Sequence, residues 1–270
     1  MNQAPSFDHQ LSDMLCDSRD GVRILTINRQ KSYNSWTSAL RDELARQLNA
    51  ADSDSSVKAV VLTGAGTEAF CSGQDLSEIK EFENGQKLAA WFQRLATCYN
   101  AVRSFSKPLV AAVNGVAAGS GFQVIQFCDM AVAHGDVKMG QTEVNSGLPS
   151  VFGTWLLWER VGRCRAVEMS LQGRLMPAVE AYELGFIHKI VDKNAVVEEA
   201  IQAAVRLAQQ PSMAYSLSKR AIKSFDEAGY LNALNLAQGL YEQAFDSGEP
   251  QKEIEKFFDR RAKRAQVARS

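Results

Sequence analysis

The chain has 270 residues, which is enough for one large domain or for a core with an appended region. Its formal net charge of -1, with 46% apolar and 23% charged residues, argues against a general nucleic-acid-binding protein, because such proteins are usually basic. Five cysteines without a Cys-x-x-Cys pair favour a reducing, cytoplasmic location, and we expect no signal peptide and no membrane-spanning helix because long apolar runs are absent.

The N-terminal part begins with polar sequence and then shows a strand and a helix. We expect residues 1–20 to form a loose lead-in. Val22–Asn28 alternates apolar and polar side chains with β-branched residues, which predicts a strand. A leucine at every fourth position from Leu40 then marks one face of a helix, for which Thr37 or Ser38 provides an N-cap.

The alternation of strand and helix patterns continues to about residue 191. Short apolar runs next to glycines or turns are typical of buried strands, whereas longer periodic segments are typical of helices. The buried-strand patterns are Lys58–Thr63 and Pro108–Asn114. Asp129–His134 and Ile187–Val191 are further strand patterns, and the helix patterns are Lys80–Ser104, Phe122–Cys128 and Trp155–Leu171. This regular alternation favours α/β layers with parallel strand pairs.

After about residue 194 only helical periodicity remains. Four periodic segments are separated by Pro211, Gly229 and Gly248–Pro250, and they are Asn194–Gln209, Ser212–Phe225, Leu231–Asp246 and Gln251–Arg264. The change of pattern divides the chain into an α/β core at residues 1–193 and a helical C-terminal region at residues 194–270.

Two loops rich in small residues follow predicted strands. Phe70–Leu76 comes after Lys58–Thr63, and Asn114–Phe122 follows Pro108–Asn114 and opens a helix. Glycines let a ligand approach the backbone, and a helix N-terminus offers unpaired N–H groups. Two such loops can direct two amides at one oxygen as an oxyanion hole, although ordinary structural turns explain the same spacing.

A third loop carries a candidate acid or base. Glu143 lies between glycines, just before the apolar stretch Val151–Trp158. A carboxylate among apolar neighbours has a raised pKa and can act as a general base or acid. The alternative is an ordinary loop carboxylate in solvent, which would occupy the same position in the sequence.

Aromatic and basic residues elsewhere have two interpretations each. Four large aromatic residues indicate either a bulky apolar pocket or ordinary core: Trp91, Phe92, Phe152 and Trp155. Phe257 and Phe258 precede Arg260 and Arg261, and this end of the chain is either a packing face or a contact for the phosphates of a nucleotide group.

Together these segments resemble the crotonase (enoyl-CoA hydratase/isomerase) superfamily over nearly the whole chain. Asn28–Asn34 resembles the family's Asn-Arg-Pro-Lys-Ala-x-Asn segment, and Phe70–Leu76 resembles its Phe-(Cys/Ala)-(Ala/Ser)-Gly-x-Asp-(Leu/Ile) signature. Lys107–Asp129 resembles its Lys-Pro-(Val/Leu)-Ala-Ala-(Val/Ile)-Asn-Gly block, which ends in (Cys/Ser)-Asp. Gly173 and the Ala181–Gly185 turn fit the same family, and the matches follow one another in the family's order.

The resemblance implies a spiral core of repeated β-β-α units and a helical C-terminal trimerisation region, hence a homotrimer or hexamer. It implies acyl-CoA thioester substrates, with coenzyme A present only as part of the substrate, and no metal. The near-neutral charge and the lack of a long apolar run lead us to expect neither nucleic acid nor a membrane as partner. The resemblance assigns the oxyanion amides to Gln74 and to Ser120, which stands where the family usually has glycine. The residues implied for coenzyme A and substrate binding are Lys31, Ser32, Tyr33, Ser72, Asp75, Leu76, Gly119 and Thr142.

The catalytic positions depart from those of typical hydratases in the family, which carry two glutamates. Glu143 matches one of them, but Gln123 stands at the other, and a glutamine cannot transfer a proton at neutral pH. One carboxylate suffices to move a proton between two carbons, as in the Δ3,Δ2-enoyl-CoA isomerases that this chain resembles. We therefore expect an isomerase that uses Glu143, with Gln123 as a hydrogen-bond partner. The alternatives are a hydratase or hydratase-lyase in which Glu143 alone activates water, and a non-catalytic acyl-CoA-binding protein.

Overall fold

The computed structural model describes residues 12–80, 82 and 85–267. The strands are β1 (Met14–Arg19), β2 (Val22–Ile27), β3 (Ala59–Gly64), β4 (Ala69–Cys71), β5 (Leu109–Val113), β6 (Val116–Ala118), β7 (Met130–His134), β8 (Lys138–Gly140), β9 (Met176–Pro177) and β10 (Lys189–Val191). The helices are α1 (Ser38–Ser53), α2 (Leu76–Lys80), α3 (Gly85–Ser104), α4 (Ser120–Phe127), α5 (Val151–Gln172), α6 (Ala178–Glu183), α7 (Val196–Ala208), α8 (Ser212–Ser247) and α9 (Glu249–Val267). Short 3-10 turns occur at Gln30–Ser32, Glu143–Ser146 and Lys193–Ala195.

Six strands form the larger sheet in the order β1-β2-β3-β5-β7-β10, with all neighbours parallel except β1 and β2. Strand β3 is buried along its whole length because both faces of the sheet are covered. Val60 and Leu62 contribute to the main core, whereas Ala59 and Val61 on the other face belong to a second cluster that includes residues of α7. The predicted buried strands and parallel pairings are thereby confirmed.

Four short strands form a second sheet in the order β4-β6-β8-β9. Each of β3, β5 and β7 is followed by one short strand of this second sheet, and then by a helix or a turn and a helix. This is the repeated β-β-α arrangement that the sequence resemblance implies, so the predicted fold class is confirmed. The short strands were not predicted, because two or three residues cannot show a strand period.

The prediction of a loose lead-in at residues 1–20 is wrong for its last part. Residues 14–19 form β1, which pairs with β2 from Met14 opposite Ile27 to Arg19 opposite Val22. The strand lies at the sheet edge and is increasingly exposed along its length, so polar residues are tolerated there and conceal the strand. Residues 1–11 of the predicted lead-in lie outside the described residues.

The predicted helix break at Gly229 is also wrong, because α8 runs continuously through it. A Cβ atom placed on Gly229 would lie 2.8 Å from Nε1 of Trp155. The glycine therefore gives α5 and α8 room to pack, and the packing outweighs its low helix propensity.

The C-terminal helices pack on the α/β core. Tyr230 of α8 and Ile254 of α9 are both fully buried in the main core cluster. Helix α9 covers the turn at Glu143–Ser146. Pro250 lies close to Gly147, because a Cβ atom added to Gly147 would be 3.2 Å from Cα of Pro250. The division at residue 193 and the trimerisation role of this region stay predictions. None of the helices in the described ranges is long and apolar enough to cross a bilayer.

Candidate active site

A cavity of about 710 Å³ opens between the loops that follow the short strands and the C-terminal helices. Eleven of the twelve predicted site residues line it, and they are Ser32, Tyr33, Ser72, Gln74, Asp75, Leu76, Gly119, Ser120, Gln123, Thr142 and Glu143. Lys31 is exposed at its edge, where its carbonyl oxygen accepts a hydrogen bond of 2.5 Å from Nη2 of Arg261. The cavity thus brings together nearly all residues that the resemblance implied.

The loop after β4 presents the backbone amide of Gln74. Gly73 has a φ of 102°, which favours glycine, and its carbonyl oxygen accepts a 2.8 Å hydrogen bond from the Trp36 amide. The Asp75 amide donates to the Trp36 carbonyl at 2.8 Å. Because Gln74 lies between these two bonds in a parallel bridge, its own N–H points away from Trp36.

The second amide belongs to Ser120, the first residue of α4. Gly119 precedes it with a φ of 50°, and the Gly119 N–H donates a 2.9 Å hydrogen bond to the carbonyl oxygen of Gly140. A Cβ atom on Gly73 would lie only 3.8 Å from the Ser120 nitrogen, so the two loops are in contact. Within residues 12–80, 82 and 85–267, neither the Gln74 nor the Ser120 amide forms a turn or loop hydrogen bond. Two free N–H groups on adjoining loops are the elements of an oxyanion hole.

The side chain of Gln74 is fixed by Arg41, a contact that the sequence did not suggest. Arg41 is only 1% exposed, donates to Oε1 of Gln74 and also donates to Oγ of Ser38 at 2.8 Å. Burial lowers the pKa of Arg41, and the charge of Glu78 at 3.6 Å opposes that shift. The sequence placed this arginine on a helix beside Leu40, where a solvated cation is the ordinary expectation.

Glu143 begins the 3-10 turn that follows β8, and its carboxylate accepts two side-chain hydrogen bonds. Nε2 of Gln123 donates to Oε1 at 2.7 Å, and Oγ of Ser150 donates to Oε2 at 3.1 Å. Burial raises the pKa of Glu143 to about 7, although these hydrogen bonds favour the ionised form. This agrees with the raised pKa expected from its apolar neighbours, and it suits a general base that works near neutral pH.

The carboxylate lies beside the loop that presents the Ser120 amide. A Cβ atom on Gly119 would lie 3.4 Å from Oε1 of Glu143. A base and two amide donors therefore face the same part of the cavity, which is the arrangement needed to remove a proton next to a carbonyl group and to hold the resulting negative oxygen.

Three further polar residues at this site were missed in the sequence. Tyr99 and Gln141 hydrogen bond to Gln123, and Ser150 to Glu143. Tyr99 lies within the helix pattern predicted at Lys80–Ser104, and Ser150 lies just before the apolar stretch Val151–Trp158, but neither pattern marks a site residue. Gln141 stood two positions before Glu143, and this proximity was the one signal available.

Aromatic residues form the apolar wall of the cavity. Trp91, Phe92 and Phe152 line it, as the pocket interpretation predicted, together with Tyr99 and Tyr241. Trp155 was predicted for the pocket but does not line it. Its ring contacts Tyr230 at a centroid distance of 6.1 Å, so it packs between α5 and α8.

Charged side chains also line the cavity. Phe257, Phe258, Arg260 and Arg261 of α9 line it, and the Arg261 guanidinium lies 5.4 Å from the ring centroid of Tyr33. Burial tends to raise the pKa of Asp75, but hydrogen bonds from Ser77 and Arg29 outweigh it and the pKa is lowered. Asp75 is therefore an ionised residue held in place by its neighbours.

Known proteins resemble this chain along almost its full length. The enoyl-CoA hydratase/isomerase family profile matches residues 17–265. The 1,2-epoxyphenylacetyl-CoA isomerase of Escherichia coli is 32% identical over 90% of this chain and 94% of its own length. The short-chain-enoyl-CoA hydratase of Clostridium acetobutylicum is 29% identical over 93% of this chain and 97% of its own. A crystal structure of an enoyl-CoA hydratase/isomerase from Mycobacterium paratuberculosis has a TM-score of 0.84 and 27% identity, and covers 93% of this chain and 100% of its own.

Proposed function

This chain belongs to the enoyl-CoA hydratase/isomerase family of acyl-CoA enzymes, and we propose that within it the chain is an isomerase that shifts a double bond through Glu143. The observation that carries this proposal is the pairing of one partly buried carboxylate with an amide. Gln123 donates a 2.7 Å hydrogen bond to Glu143 and has no proton that it can transfer at neutral pH. A reaction that needs one proton-transferring group fits this pair better than a reaction that uses two.

The proposed reaction has two proton transfers and one intermediate. The Glu143 carboxylate removes a proton from C2 of a 3-enoyl-CoA, and the electrons of that C–H bond form a dienolate whose thioester oxygen is negative. The Gln74 and Ser120 amides stabilise this oxygen, and their interaction strengthens as the charge develops. The protonated Glu143 then returns the proton to C4, which leaves the double bond between C2 and C3 and regenerates the carboxylate.

Hydration is the second candidate function, because the Clostridium acetobutylicum relative is named a hydratase. In this version Glu143 alone would activate water for addition to a 2-enoyl-CoA, and a hydratase-lyase would use the same step. The acyl group is open in both versions. The aromatic wall at Trp91, Phe92 and Phe152 favours a bulky apolar or aromatic acyl group.

The two candidates are separated by the mass of the product. We would incubate 3-enoyl, 2-enoyl and arylacetyl-type acyl-CoAs with the enzyme in H2-18O and analyse the products by chromatography and mass spectrometry. The proposal predicts a product of unchanged mass and changed retention time from the 3-enoyl thioester. Uptake of 18O as the main outcome with a 2-enoyl thioester would replace the isomerase by a hydratase. Tight binding of the panel without any product would indicate a non-catalytic acyl-CoA-binding protein.

The variant Gln123→Glu tests whether the amide at this position decides between isomerisation and hydration. In Gln123→Glu a second carboxylate faces Glu143, so we expect the ratio of hydrated to isomerised product to rise relative to wild type. An unchanged ratio, together with wild-type hydration as fast as isomerisation, would remove Gln123 as the determinant of the reaction.

We further propose a cytoplasmic homotrimer, or a hexamer formed from two trimers, with no metal and no separate cofactor. Large apolar side chains on α8 support an interface there, among them Phe225 with 84% of its surface exposed. Light scattering at micromolar protein should give three or six times the monomer mass, and a monomer would contradict the assembly proposal without affecting the proposed reaction.

A further inference from the structure

The amide of Gln123 uses all of its hydrogen-bonding groups in directed contacts. Its Oε1 accepts from the hydroxyl of Tyr99 at 2.5 Å. Its Nε2 donates to Oε1 of Gln141 at 3.1 Å and to Oε1 of Glu143 at 2.7 Å. Gln123 is only 5% exposed, so water does not substitute readily for any of these partners.

The two neutral partners are themselves held firmly. The Tyr99 ring is stacked on Phe152 at a centroid distance of 5.1 Å, and its hydroxyl is therefore fixed in position. Gln141 is fully buried, and a Cβ atom on Gly153 would lie 2.3 Å from its Oε1. The packing of α3 and α5 thus sets the orientation of the Gln123 amide.

The opposite orientation of the amide would suit a different state of Glu143. If the amide turned over, its oxygen would face the oxygens of Gln141 and Glu143, and acceptors would oppose acceptors. With Gln141 in its observed orientation, a protonated Glu143 would be the group that donates a hydrogen bond to Gln123 on this side of the amide. The observed orientation therefore favours the ionised carboxylate, which is the form that can accept a proton.

We propose that Tyr99 and Gln141 are positioning residues that hold the Gln123 amide with its NH2 group on Glu143 and so keep Glu143 ready to act as a base. This inference rests on the proposed function, in which Glu143 removes the substrate proton. Tyr99 and Gln141 act through Gln123, and their contribution is a fixed hydrogen-bond direction.

The groups around Glu143 make its titration simple to interpret. Tyr99 from α3 and Tyr241 from α8 are titratable side chains near it, and burial, together with the charge of Glu143, raises the pKa of both above the usual value for tyrosine, so both are neutral where Glu143 titrates. Gln123 from α4 and Ser150 before α5 are neutral, and Glu249 at the start of α9 is exposed. A change in the titration of Glu143 therefore reports its hydrogen bonds.

The test is Tyr99→Phe, which removes one hydroxyl and leaves the ring. Oε1 of Gln123 then loses its donor, the amide can turn, and the protonated form of Glu143 gains a hydrogen bond while the ionised form loses one. We expect the pKa of Glu143 to rise by about 0.5 to 1 unit. The carboxyl resonance of 13C-labelled Glu143, assigned with Glu143→Gln, gives this pKa by NMR without any turnover, and the acid limb of kcat should move by the same amount while KM stays within about threefold.

Tyr230→Phe is the matched control. Tyr230 is 0% exposed, and its ring, like that of Tyr99, contacts Phe152, but its hydroxyl lies 3.5 Å from the Ala96 carbonyl oxygen and does not touch Gln123. We expect no shift of the Glu143 resonance titration in this variant. Gln141→Leu should shift it in the same direction as Tyr99→Phe, and a thermal melt identifies any variant that fails to fold.

An unchanged or lowered Glu143 pKa in folded Tyr99→Phe, or an equal shift in Tyr230→Phe, would overturn the inference. Because the NMR titration needs no substrate, these outcomes are distinct from failure of the proposed function. If the proposed function failed, the wild-type protein would show the Glu143 titration near about pH 7 but would convert none of the acyl-CoA thioesters.

Discussion

The two halves of the candidate site are built in different ways. The amide half consists of the Gln74 and Ser120 N–H groups, which are positioned by turns at Gly73 and Gly119 and are independent of side-chain identity. The carboxylate half consists of side chains, and each contact depends on a particular atom, as in the 2.7 Å bond from Gln123 to Glu143. Backbone N–H groups stay in place when side chains differ, whereas the proposed isomerase reaction depends on the particular side chain at position 123.

The largest expected effect is on the carboxylate half. Glu143→Gln keeps the size of the side chain and removes the base, so we expect kcat to fall by about 10²–10⁴-fold. Acyl-CoA binding measured by calorimetry should change by no more than about threefold, because the amides and the cavity walls hold the ground state. Glu249→Gln on the exposed start of α9 is the control, and near-native turnover of Glu143→Gln would remove this residue from the mechanism.

The amide half is tested by a pair of substitutions at Ser120. Proline is tolerated at the first position of a helix, so Ser120→Pro removes the N–H of α4 at low cost to the helix. We expect a loss of about 10²–10³-fold in kcat.

Ser120→Ala keeps the N–H and removes a buried hydroxyl that has no hydrogen-bond partner among the residues the structure describes. Its kcat should stay within about threefold of wild type, with circular dichroism confirming the fold of both variants. Equal losses in the two variants would mean that the side chain, not the amide, is the contribution of this position.

The carboxylate half also has a cost in stability that the amide half lacks. The pKa of Glu143 is raised from 4.5 to about 7 by burial, so the folded state favours the protonated form. The raised pKa adds to the free energy of unfolding in full below about pH 4.5, and this addition is lost as the pH rises through about 7. The total change in the free energy of unfolding is about 3 kcal/mol. Denaturant unfolding should therefore find Glu143→Gln more stable than wild type at about pH 8, with the difference vanishing near about pH 4. A constant difference across this range would show that burial does not raise the pKa.

The last prediction concerns the rate of the wild-type reaction as a function of pH. Since the ionised carboxylate is the base, wild-type kcat should rise about tenfold per unit below about pH 7 and level off above about pH 8. The amide half has no titratable group, so Ser120→Pro should lower the whole profile without moving its acid limb. An acid limb near about pH 4.5 in wild type would indicate a solvated carboxylate.

The sequence predicted the amide half better than the carboxylate half, and the reason is physical. Glycines next to buried strands are visible as local patterns, and the runs at Lys58–Thr63 and Pro108–Asn114 correctly located β3 and β5. The side-chain hydrogen bonds to Glu143 come from Gln123 and Ser150, and Gln123 is in turn bonded to Tyr99. These residues lie on separate helices or loops that no local pattern links.

Packing between distant elements explains the remaining errors. Gly229 looked like a helix break because its contact with Trp155, more than 70 residues away, is not visible in the sequence. The contact between Arg41 and Gln74 was not predicted, because the two residues lie 33 positions apart on a helix and a loop. The short strand β6 is three residues long, which is too short for a periodic signal.

Glu143 is proposed to remove a proton from the thioester substrate, and the Gln74 and Ser120 amides are proposed to stabilise the resulting enolate. This proton removal can be measured without knowing the natural substrate. Saturated straight-chain and arylacetyl-CoA thioesters are incubated with the enzyme in D2O, and exchange of the proton next to the thioester carbonyl is followed by NMR. The account predicts exchange by wild type, slower exchange by Ser120→Pro and none above background by Glu143→Gln. Exchange by Glu143→Gln at the wild-type rate, or no exchange by wild type with any thioester that it binds, would contradict it.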